Sequence, residues 1–294
     1  MTRSGFVALA GRPNAGKSTL VNHIVGGKVA IVSDKPQTTR REIRGVATGD
    51  DWQLVLVDLP GVQRPRDALT ERMQRQVERT LADADAALFV LNGEQEIGAG
   101  DRFIADALKQ SGVPTVTVLN KVDRLDKGRT VKALSVAAEL DVQGELFPIS
   151  AINGAGVGPV VEQLVTLMPE GPFLYPPEDM SDQSIEVQLA ELVREQVLLR
   201  TREELPHAVE VEIDEIEERE SDGLLVVRAR VWAETESQKG ILVGSGGKMV
   251  KAVGTAARKE IEGLLDRRVH LELNVRVRKG WRRDEGLLDR LGIE

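Results

Sequence analysis

The sequence predicts an α/β protein with two domains: a mostly parallel six-stranded sheet with helices on its faces, then a smaller α+β domain. In the first 168 residues, apolar strand-like runs alternate with helical stretches, which is typical of βαβ units. Four prolines and a glycine within residues 169–177 then interrupt the pattern, because proline cannot continue a helix or an interior strand. We therefore predict domains at 1–168 and 184–294, joined by a linker at 169–183.

The elements of the first domain follow from their apolar spacing. An antiparallel edge strand is predicted at Arg41–Thr48, before the turn at 50–51. The buried strands are predicted at Gly5–Ala10, Trp52–Asp58, Ala86–Leu91, Pro114–Asn120 and Glu145–Ser150. The helices are predicted at Gly16–Val25, Arg66–Leu81, Asp101–Ser111, Arg129–Leu140 and Val157–Met168. Ligands of such sheets bind beyond the carboxyl ends of the strands, so we expect the motifs found there to converge.

The second domain has a different order of elements, α-β-β-α-α-β. A helix is predicted at Ser184–Arg202, and the two strands that follow it flank a turn at 221–223. These strands are His207–Glu218 and Leu224–Trp232. A short helix at Glu236–Val243, a longer helix ending near Asp266 and a strand at Val269–Lys279 complete the domain.

Composition narrows the classes of function. The chain contains no cysteine, which excludes disulfide scaffolds and thiolate metal sites. No apolar run approaches the roughly 20 residues needed to cross a bilayer, and no export leader is visible, so we expect a cytoplasmic protein. The net charge is −8, but residues 228–283 hold fourteen basic and six acidic side chains, whereas 203–222 hold one basic and ten acidic. The basic region favours a polyanion-binding surface, and the alternative is an ordinary solvated surface.

Residues 11–18 match the phosphate-loop pattern G-x-x-x-x-G-K-S. Glycines let successive backbone N–H groups point at the phosphates, and the loop opens the helix whose N-terminus adds partial positive charge. Lys17 would reach the β- and γ-phosphates, and Ser18 would bind Mg²⁺ through its hydroxyl. The motif therefore predicts a nucleoside triphosphate ligand.

A second motif predicts which base is bound. Asn120-Lys121-Val122-Asp123 ends an apolar strand. The Asp123 carboxylate can accept hydrogen bonds from N1–H and the 2-amino group of guanine, whereas adenine would leave it unpaired. Lys121 can lay its stem over the base plane. Ser150-Ala151 ends the next strand, where small residues would let the Ala151 N–H approach guanine O6.

Two segments between these motifs predict a switch. Asp58 would hold Mg²⁺ through a water, and the Gly61 N–H would sense the γ-phosphate. Residues 33–41 carry Thr38 and Thr39, one of whose hydroxyls would complete the Mg²⁺ shell only while the γ-phosphate is present. Loss of that phosphate would release both loops.

This motif set resembles that of the Ras-like GTPases. Finer details resemble the Era family of bacterial GTPases over nearly the whole chain, and the residues that carry this resemblance are Gly11–Asn14, Gln37–Arg40, Glu203–Pro206, Gln238–Gly244 and Val275–Arg283 with Trp281. The resemblance implies GTP or GDP with Mg²⁺, and it favours Thr39 over Thr38 as the metal ligand. Asn14 is similar to the asparagine of GTPases that recruit K⁺, which gives the hypothesis of a K⁺ beside the phosphates.

The motifs and the resemblance together define the candidate site. The nucleotide contacts are Asn14, Ala15, Gly16, Lys17, Ser18, Thr19, Asp58, Gly61, Asn120, Lys121, Asp123, Ser150 and Ala151. The metal ligands are Ser18, Thr39 and, through water, Asp58, and the catalytic residues are Lys17, Thr39 and Gly61.

Two positions depart from the usual GTPase pattern. Leu59 replaces a more usual threonine, which is not a direct ligand. Val62 stands where many GTPases carry a glutamine that orients the attacking water, and valine cannot orient water. We therefore predict slow intrinsic hydrolysis, with the missing function supplied by a cation, a backbone group or a partner.

The second domain carries a candidate RNA site. Gly244-Ser245-Gly246-Gly247 lies between two helices in the order of a type II KH domain, whose turn admits a nucleic-acid backbone. Ile241, Leu242, Val243 and Val250 are predicted to floor an apolar groove, and Arg258 to add a phosphate contact. The candidate RNA-binding residues are Lys239, Gly244, Ser245, Gly246, Gly247, Lys248 and Lys251. The three tryptophans are predicted to be packing residues.

By resemblance, the partner is small-subunit ribosomal RNA near its 3′ end, and the role is assembly of the small ribosomal subunit. The resemblance also implies peripheral contact with the inner membrane, and we expect a monomer. The alternative is an RNA-binding assembly chaperone in which GTP is mainly a ligand. An ATP-driven nucleic-acid enzyme is a third hypothesis, against which Asp123 argues.

Overall fold

The computed structural model describes residues 1–35, 38–61, 67–203 and 205–293, and the chain forms two compact units. The first unit comprises residues 1–32 and 39–182, and the second comprises residues 33–38 and 183–293. The described residues of the segment 33–38 therefore group with the second unit, although the sequence predicted them as part of the first domain.

The first unit contains the predicted six-stranded sheet, in the order β2-β3-β1-β4-β5-β6. Every neighbouring pair is parallel except β2 and β3. The strands are β1 (Arg3–Ala10), β2 (Ile43–Thr48), β3 (Trp52–Asp58), β4 (Ala86–Asn92), β5 (Thr115–Asn120) and β6 (Leu146–Pro148). The helices are α1 (Lys17–Val25), α2 (Ala68–Asp83), α3 (Ala99–Ser111), α4 (Lys127–Ala138) and α5 (Val157–Leu167).

Helices cover both faces of this sheet because successive side chains of a strand point to opposite faces. Val7 and Leu9 of β1 belong to one apolar cluster with residues of α1 and α5. Ala8 and Ala10 belong to another cluster with residues of α2, α3 and α4. The parallel arrangement places the carboxyl ends of β1, β3 and β5 at one edge, where the predicted motifs begin.

Most of the predicted linker is hydrogen-bonded to the first unit. Gln53 of β3 is fully buried, and its amide oxygen accepts the N–H groups of Leu174 (2.7 Å) and Tyr175 (2.9 Å). Farther along, the N–H of Val46 in β2 donates to the carbonyl of Met180 at 2.8 Å. The proline-rich segment thus lies along the sheet edge, because its backbone groups find partners there.

The second unit is a three-stranded sheet in the order β7-β8-β9, with α6, α8 and α9 packed on it. Strands β7 and β8 are antiparallel, and β8 and β9 are parallel. This α+β arrangement confirms the predicted KH fold. The elements are α6 (Ile185–Arg200), α7 (Leu205–Ala208), β7 (Glu210–Arg219), β8 (Leu224–Ala233), α8 (Glu236–Val243), α9 (Lys248–Leu265), β9 (Val269–Val277) and α10 (Glu285–Arg290).

Two local predictions in this unit were wrong. His207 was assigned to a strand, but it lies in α7, and α10 was not predicted at all. A distant contact joins the two segments: Trp281, which precedes α10, is fully buried, and its indole N–H donates to the carbonyl of Ala208, the last residue of α7, at 2.9 Å. No local periodicity reports a contact between residues 73 positions apart.

Candidate nucleotide and RNA sites

The phosphate loop connects the end of β1 to the start of α1. Gly16 has φ 98°, in the left-handed region that favours glycine, and a Cβ there would lie 2.2 Å from Nδ2 of Asn120. Asn14 also has positive φ, 62°, a conformation that asparagine tolerates better than most residues. The backbone thus has the tight turn that the motif predicts.

Lys17 faces the inside of the loop. Its ammonium donates to the carbonyls of Gly11 (3.1 Å) and Arg12 (3.4 Å). Burial lowers the pKa of Lys17, and the charge of Asp58 opposes that shift. Burial in turn raises the pKa of Asp58, while Lys17, Ser18 and Thr39 act to lower it. A buried ammonium thus lies beside a buried carboxyl group at the edge of the sheet.

Three predicted metal-site residues converge. The Ser18 hydroxyl donates to Oδ2 of Asp58 at 2.5 Å, and the Thr39 hydroxyl donates to the same oxygen at 3.2 Å. The two hydroxyl oxygens are 3.2 Å apart. Oδ1 of Asp58 is buried and has no hydrogen-bond partner among the described residues. Oxygen ligands of this kind suit Mg²⁺, so the residues fit the predicted ion.

The structure distinguishes Thr38 from Thr39, the two threonines that the sequence offered as metal ligands. Thr39 is buried beside Asp58, whereas the Thr38 hydroxyl donates to the carbonyl of Lys35 at 2.6 Å. The geometry therefore supports Thr39 as the metal ligand. Gln37 lies outside the described residues.

Asn120 connects the base motif to the phosphate loop. Its side-chain nitrogen donates to the carbonyl of Ala15 at 2.8 Å, and its oxygen accepts the N–H groups of Lys121 (2.8 Å) and Ala151 (2.9 Å). Asn120 itself is 1% exposed. It ties three loops together, a positioning role that the sequence did not predict.

The remaining base-site residues surround this asparagine. Asp123 is exposed in a short 3₁₀ turn, and Lys121 has φ 67° and pairs with Glu94 at 3.1 Å. The buried Ser150 hydroxyl has no partner among the described residues. The Ala151 N–H already donates to the side chain of Asn120. To bind guanine O6 as predicted, this N–H would have to share its hydrogen bond between the two oxygens or give up Asn120.

Gly61 lies against the phosphate loop. A Cβ at Gly61 would be 2.8 Å from Cγ and 2.9 Å from the backbone nitrogen of Pro13, so only glycine allows this approach. The predicted N–H sensor of the γ-phosphate is thus next to the loop that would hold it. Val62 lies outside the described residues.

The candidate RNA loop has the backbone that its glycines predict. Gly244, Gly246 and Gly247 have φ of 72°, 59° and 77°, and Ser245 and Gly246 are exposed. A Cβ at Gly244 would lie 2.8 Å from Cβ of Met249, where α9 begins. The loop therefore presents its backbone to solvent, as close approach of another backbone requires.

The side chains around this loop partly match the prediction. Lys248 and Lys251 are exposed, and Ile241 is 53% exposed beside the loop. Leu242 is only 3% exposed and belongs to the core of the unit, so it has little surface to offer a groove, and the groove floor stays a prediction. Trp232 and Trp281 are packing residues, as predicted.

Pairing of β7 with β8 brings acidic residues of the 203–222 run beside basic residues of the 228–283 run, so part of the basic charge is neutralised. Arg228 and Arg230 of β8 pair with carboxylates of β7, at 2.9 Å to Glu217 and 2.9 Å to Asp214. The acidic and basic runs are separate in sequence but adjacent in the sheet. The paired arginines of β8 are therefore weaker candidates for polyanion contacts than the exposed lysines beside the loop, Lys248 and Lys251.

Comparison with known proteins gives matches over both units. A family model described as a 50S ribosome-binding GTPase matches residues 6–121, and a KH domain model matches residues 204–282. GTPase Era of Mycobacterium tuberculosis (strain H37Rv) is 45% identical over 99% of this chain and 98% of its own length. The homologue of Mycobacterium avium is 45% identical over 99% of both chains.

Solved structures match over the same extent. The structure of Era in complex with MgGDPNP and nucleotides 1506–1542 of 16S ribosomal RNA has a TM-score of 0.96 at 32% identity, covering 100% of this chain and 99% of that one. An Aquifex aeolicus Era variant bound to GDP and AlF₄⁻ has a TM-score of 0.95 at 32% identity, covering 99% of both chains.

Proposed function

Because the chain belongs to the Era family of GTPases, we propose that it is a GTP-driven switch that binds small-subunit ribosomal RNA near its 3′ end and assists assembly of that subunit. The observation that carries the proposal is the convergence of Ser18, Thr39 and Asp58 within 3.2 Å of one another, in the unit that also holds the Asn120–Asp123 motif. Calorimetry with GTP and ATP is the direct test, and equal affinities would overturn the nucleotide assignment.

We assign roles to the site residues on this basis. The loop from Asn14 to Thr19 cradles the phosphates, with Lys17 supplying positive charge as the terminal phosphate leaves. Ser18 and Thr39 would hold Mg²⁺, with Asp58 acting through water, and the ion would neutralise phosphate charge. Asp123 selects guanine, and Asn120, Lys121, Ser150 and Ala151 shape the base pocket. Hydrolysis is slow because no glutamine follows Gly61.

A potassium ion beside Asn14 is part of the proposal. The Asn14 backbone carbonyl accepts the side-chain N–H of Asn92 at 3.2 Å, so its position is fixed by a neighbouring strand. We expect GTP turnover by the purified protein to be faster in K⁺ than in Na⁺ at equal ionic strength. Equal rates in the two salts would remove the ion from the mechanism.

The RNA assignment rests on the second unit. The solved relative that binds 16S ribosomal RNA covers this unit as well as the first, whereas the family model whose description names the 50S particle ends at residue 121. We therefore propose the small subunit as the partner, bound by a cytoplasmic monomer. Peripheral contact with the inner membrane rests on family resemblance alone, and co-sedimentation with anionic vesicles would test it.

The double substitution Ser245→Asp and Gly246→Asp is expected to weaken RNA binding at least tenfold, because it places two negative charges where a phosphate backbone must approach. Both positions are exposed, a Cβ at Gly246 meets nothing within 4 Å, and aspartate tolerates positive φ better than most residues. Filter binding with a small-subunit 3′-end RNA measures the effect.

The matched control is Gly263→Asp, which adds one charge at an exposed position near the far end of α9. It should leave RNA affinity close to that of the parent protein. GTP affinity should be unchanged in both proteins. Full RNA binding by the double variant would exclude this loop as the contact.

Thr39→Ala is expected to retain GDP affinity within a few-fold while reducing GTP hydrolysis at least tenfold, because the lost hydroxyl is a metal ligand needed with the γ-phosphate. Single-turnover hydrolysis and nucleotide titration measure the two quantities. The variant also separates the two functional hypotheses. Restoration of ribosome assembly in cells by this variant would favour the assembly chaperone, in which GTP is mainly a ligand.

A further inference from the structure

The phosphate loop carries a second basic side chain, Arg12, whose charged end contacts the start of α3. Its guanidinium donates to Oδ2 of Asp101 at 2.9 Å and to the carbonyl of Glu96 at 3.3 Å. Asp101 belongs to the first turn of α3 and is 3% exposed. The same Oδ2 also accepts the N–H of Gly98 at 2.9 Å, so the carboxylate is fixed by its own helix.

The arginine side chain also packs against the backbone of this turn. A Cβ at Gly100 would lie 3.2 Å from Cδ of Arg12, closer than ordinary van der Waals contact, and 3.4 Å from its Cγ. The aliphatic part and the charged end of the Arg12 side chain thus both contact the first turn of α3. An arginine held in this way loses little freedom for each hydrogen bond it forms.

The backbone of Arg12 belongs to the phosphate cradle. Its carbonyl accepts the N–H of Ala15 at 3.3 Å and the ammonium of Lys17 at 3.4 Å. The next residue, Pro13, is the one that Gly61 approaches. A displacement of Arg12 would therefore move the first turn of the loop, the Lys17 contact and the spacing between the loop and Gly61.

We propose that the Arg12–Asp101 pair is a positioning device for hydrolysis: it anchors the phosphate loop to α3 and sets the loop's distance from Gly61. The inference rests on the proposed GTPase site. On this proposal, Arg12 anchors the loop and does not replace the water-orienting glutamine that many GTPases carry at the position of Val62. The pair is half-buried at the arginine and nearly fully buried at the carboxylate, so water screens it less than a surface ion pair.

The test compares Arg12→Ala, Asp101→Asn and the double variant with the parent protein. Asparagine at 101 can still accept the Gly98 N–H, so the helix start is preserved while the charge is removed. We expect kcat for GTP to fall about tenfold or more in each variant, since small displacements of catalytic groups reduce rates strongly, while KM and GDP affinity change only a few-fold. The double variant should be no slower than Arg12→Ala.

Arg102→Ala is the matched control, because Arg102 is an exposed arginine on the same helix. It should leave kcat unchanged. Thermal unfolding of each nucleotide-bound variant separates lost folding from lost positioning. Unchanged kcat in a folded Arg12→Ala protein, or additive losses in the double variant, would overturn the inference while leaving guanine binding by the parent intact. Failure of the parent protein to bind guanine nucleotides would instead overturn the proposed function.

Discussion

Replacing Asp123 by asparagine is expected to shift the base preference of the protein from guanine to xanthine. Asp123 lies in the 3₁₀ turn after β5, one residue beyond Val122, whose N–H donates to the carbonyl of Ile149 at 3.2 Å. The turn is thus held by the backbone, and the substitution should leave its shape unchanged. Only the hydrogen-bonding character of the side chain changes.

The chemistry of the two bases decides the outcome. The carboxylate accepts from both N1–H and the 2-amino group of guanine, whereas an amide can offer one acceptor and one donor. Xanthine has a carbonyl in place of the 2-amino group, so the amide matches it. Charge-assisted hydrogen bonds contribute about 1.5–3 kcal/mol each, so we expect GTP affinity to fall about a hundredfold.

Competition of GTP and XTP against a fluorescent guanine nucleotide measures the shift. Asp106→Asn, which removes an exposed carboxylate of α3, is the control for lost charge and should change neither affinity. If the Asp123→Asn protein kept parental GTP affinity, the base would be read elsewhere.

Lys17→Met is expected to reduce GTP affinity at least a hundredfold. Methionine keeps much of the aliphatic length of lysine and removes the ammonium. Breaking one partner from a buried charge pair typically costs about 3–5 kcal/mol, and 1.4 kcal/mol corresponds to a tenfold change. The triphosphate is the partner in the bound protein, so the loss should appear in nucleotide binding.

The nucleotide-free protein should respond differently. Burial lowers the pKa of Lys17, which means that its charged form is disfavoured by the surroundings. Lys17→Met removes this desolvation cost but also removes the attraction to Asp58. We therefore expect the free energy of unfolding of the nucleotide-free protein to change less than nucleotide binding does, while the stabilisation added by GTP disappears. Thermal unfolding with and without GTP shows both effects, and Lys127→Met, at an exposed position of α4, is the control. Retained stabilisation by GTP would contradict the role of Lys17.

The sequence predicted the fold well where local pattern and strand order agree. The phosphate loop follows β1 and Asp58 is the last residue of β3; both strands have apolar runs with clear ends, and β3 has the predicted bounds. The convergence of Ser18 and Asp58 followed from the rule that carboxyl ends of parallel strands share one edge. Such predictions need only periodicity and a few fixed motifs.

The sequence could not predict contacts that no local pattern records. Asn120 bonds with the backbone of Ala15, 105 residues away, and Gln53 holds a segment 121 residues away. Arg12 and Asp101 are 89 residues apart. Each of these polar side chains is compatible with solvent exposure when read in isolation. Only the packing of the sheet and its helices shows that they are partners.

The side-chain amide of Asn120 links the phosphate end of the nucleotide pocket, at Ala15, to the base end, at Ala151. A ligand that orders one of these loops lowers the entropic cost of ordering the others, because the loops are hydrogen-bonded to the same side chain. Guanosine and pyrophosphate offered as separate molecules should therefore assist each other's capture. We therefore expect guanosine alone, or pyrophosphate alone, to bind more weakly than it does in the presence of the other.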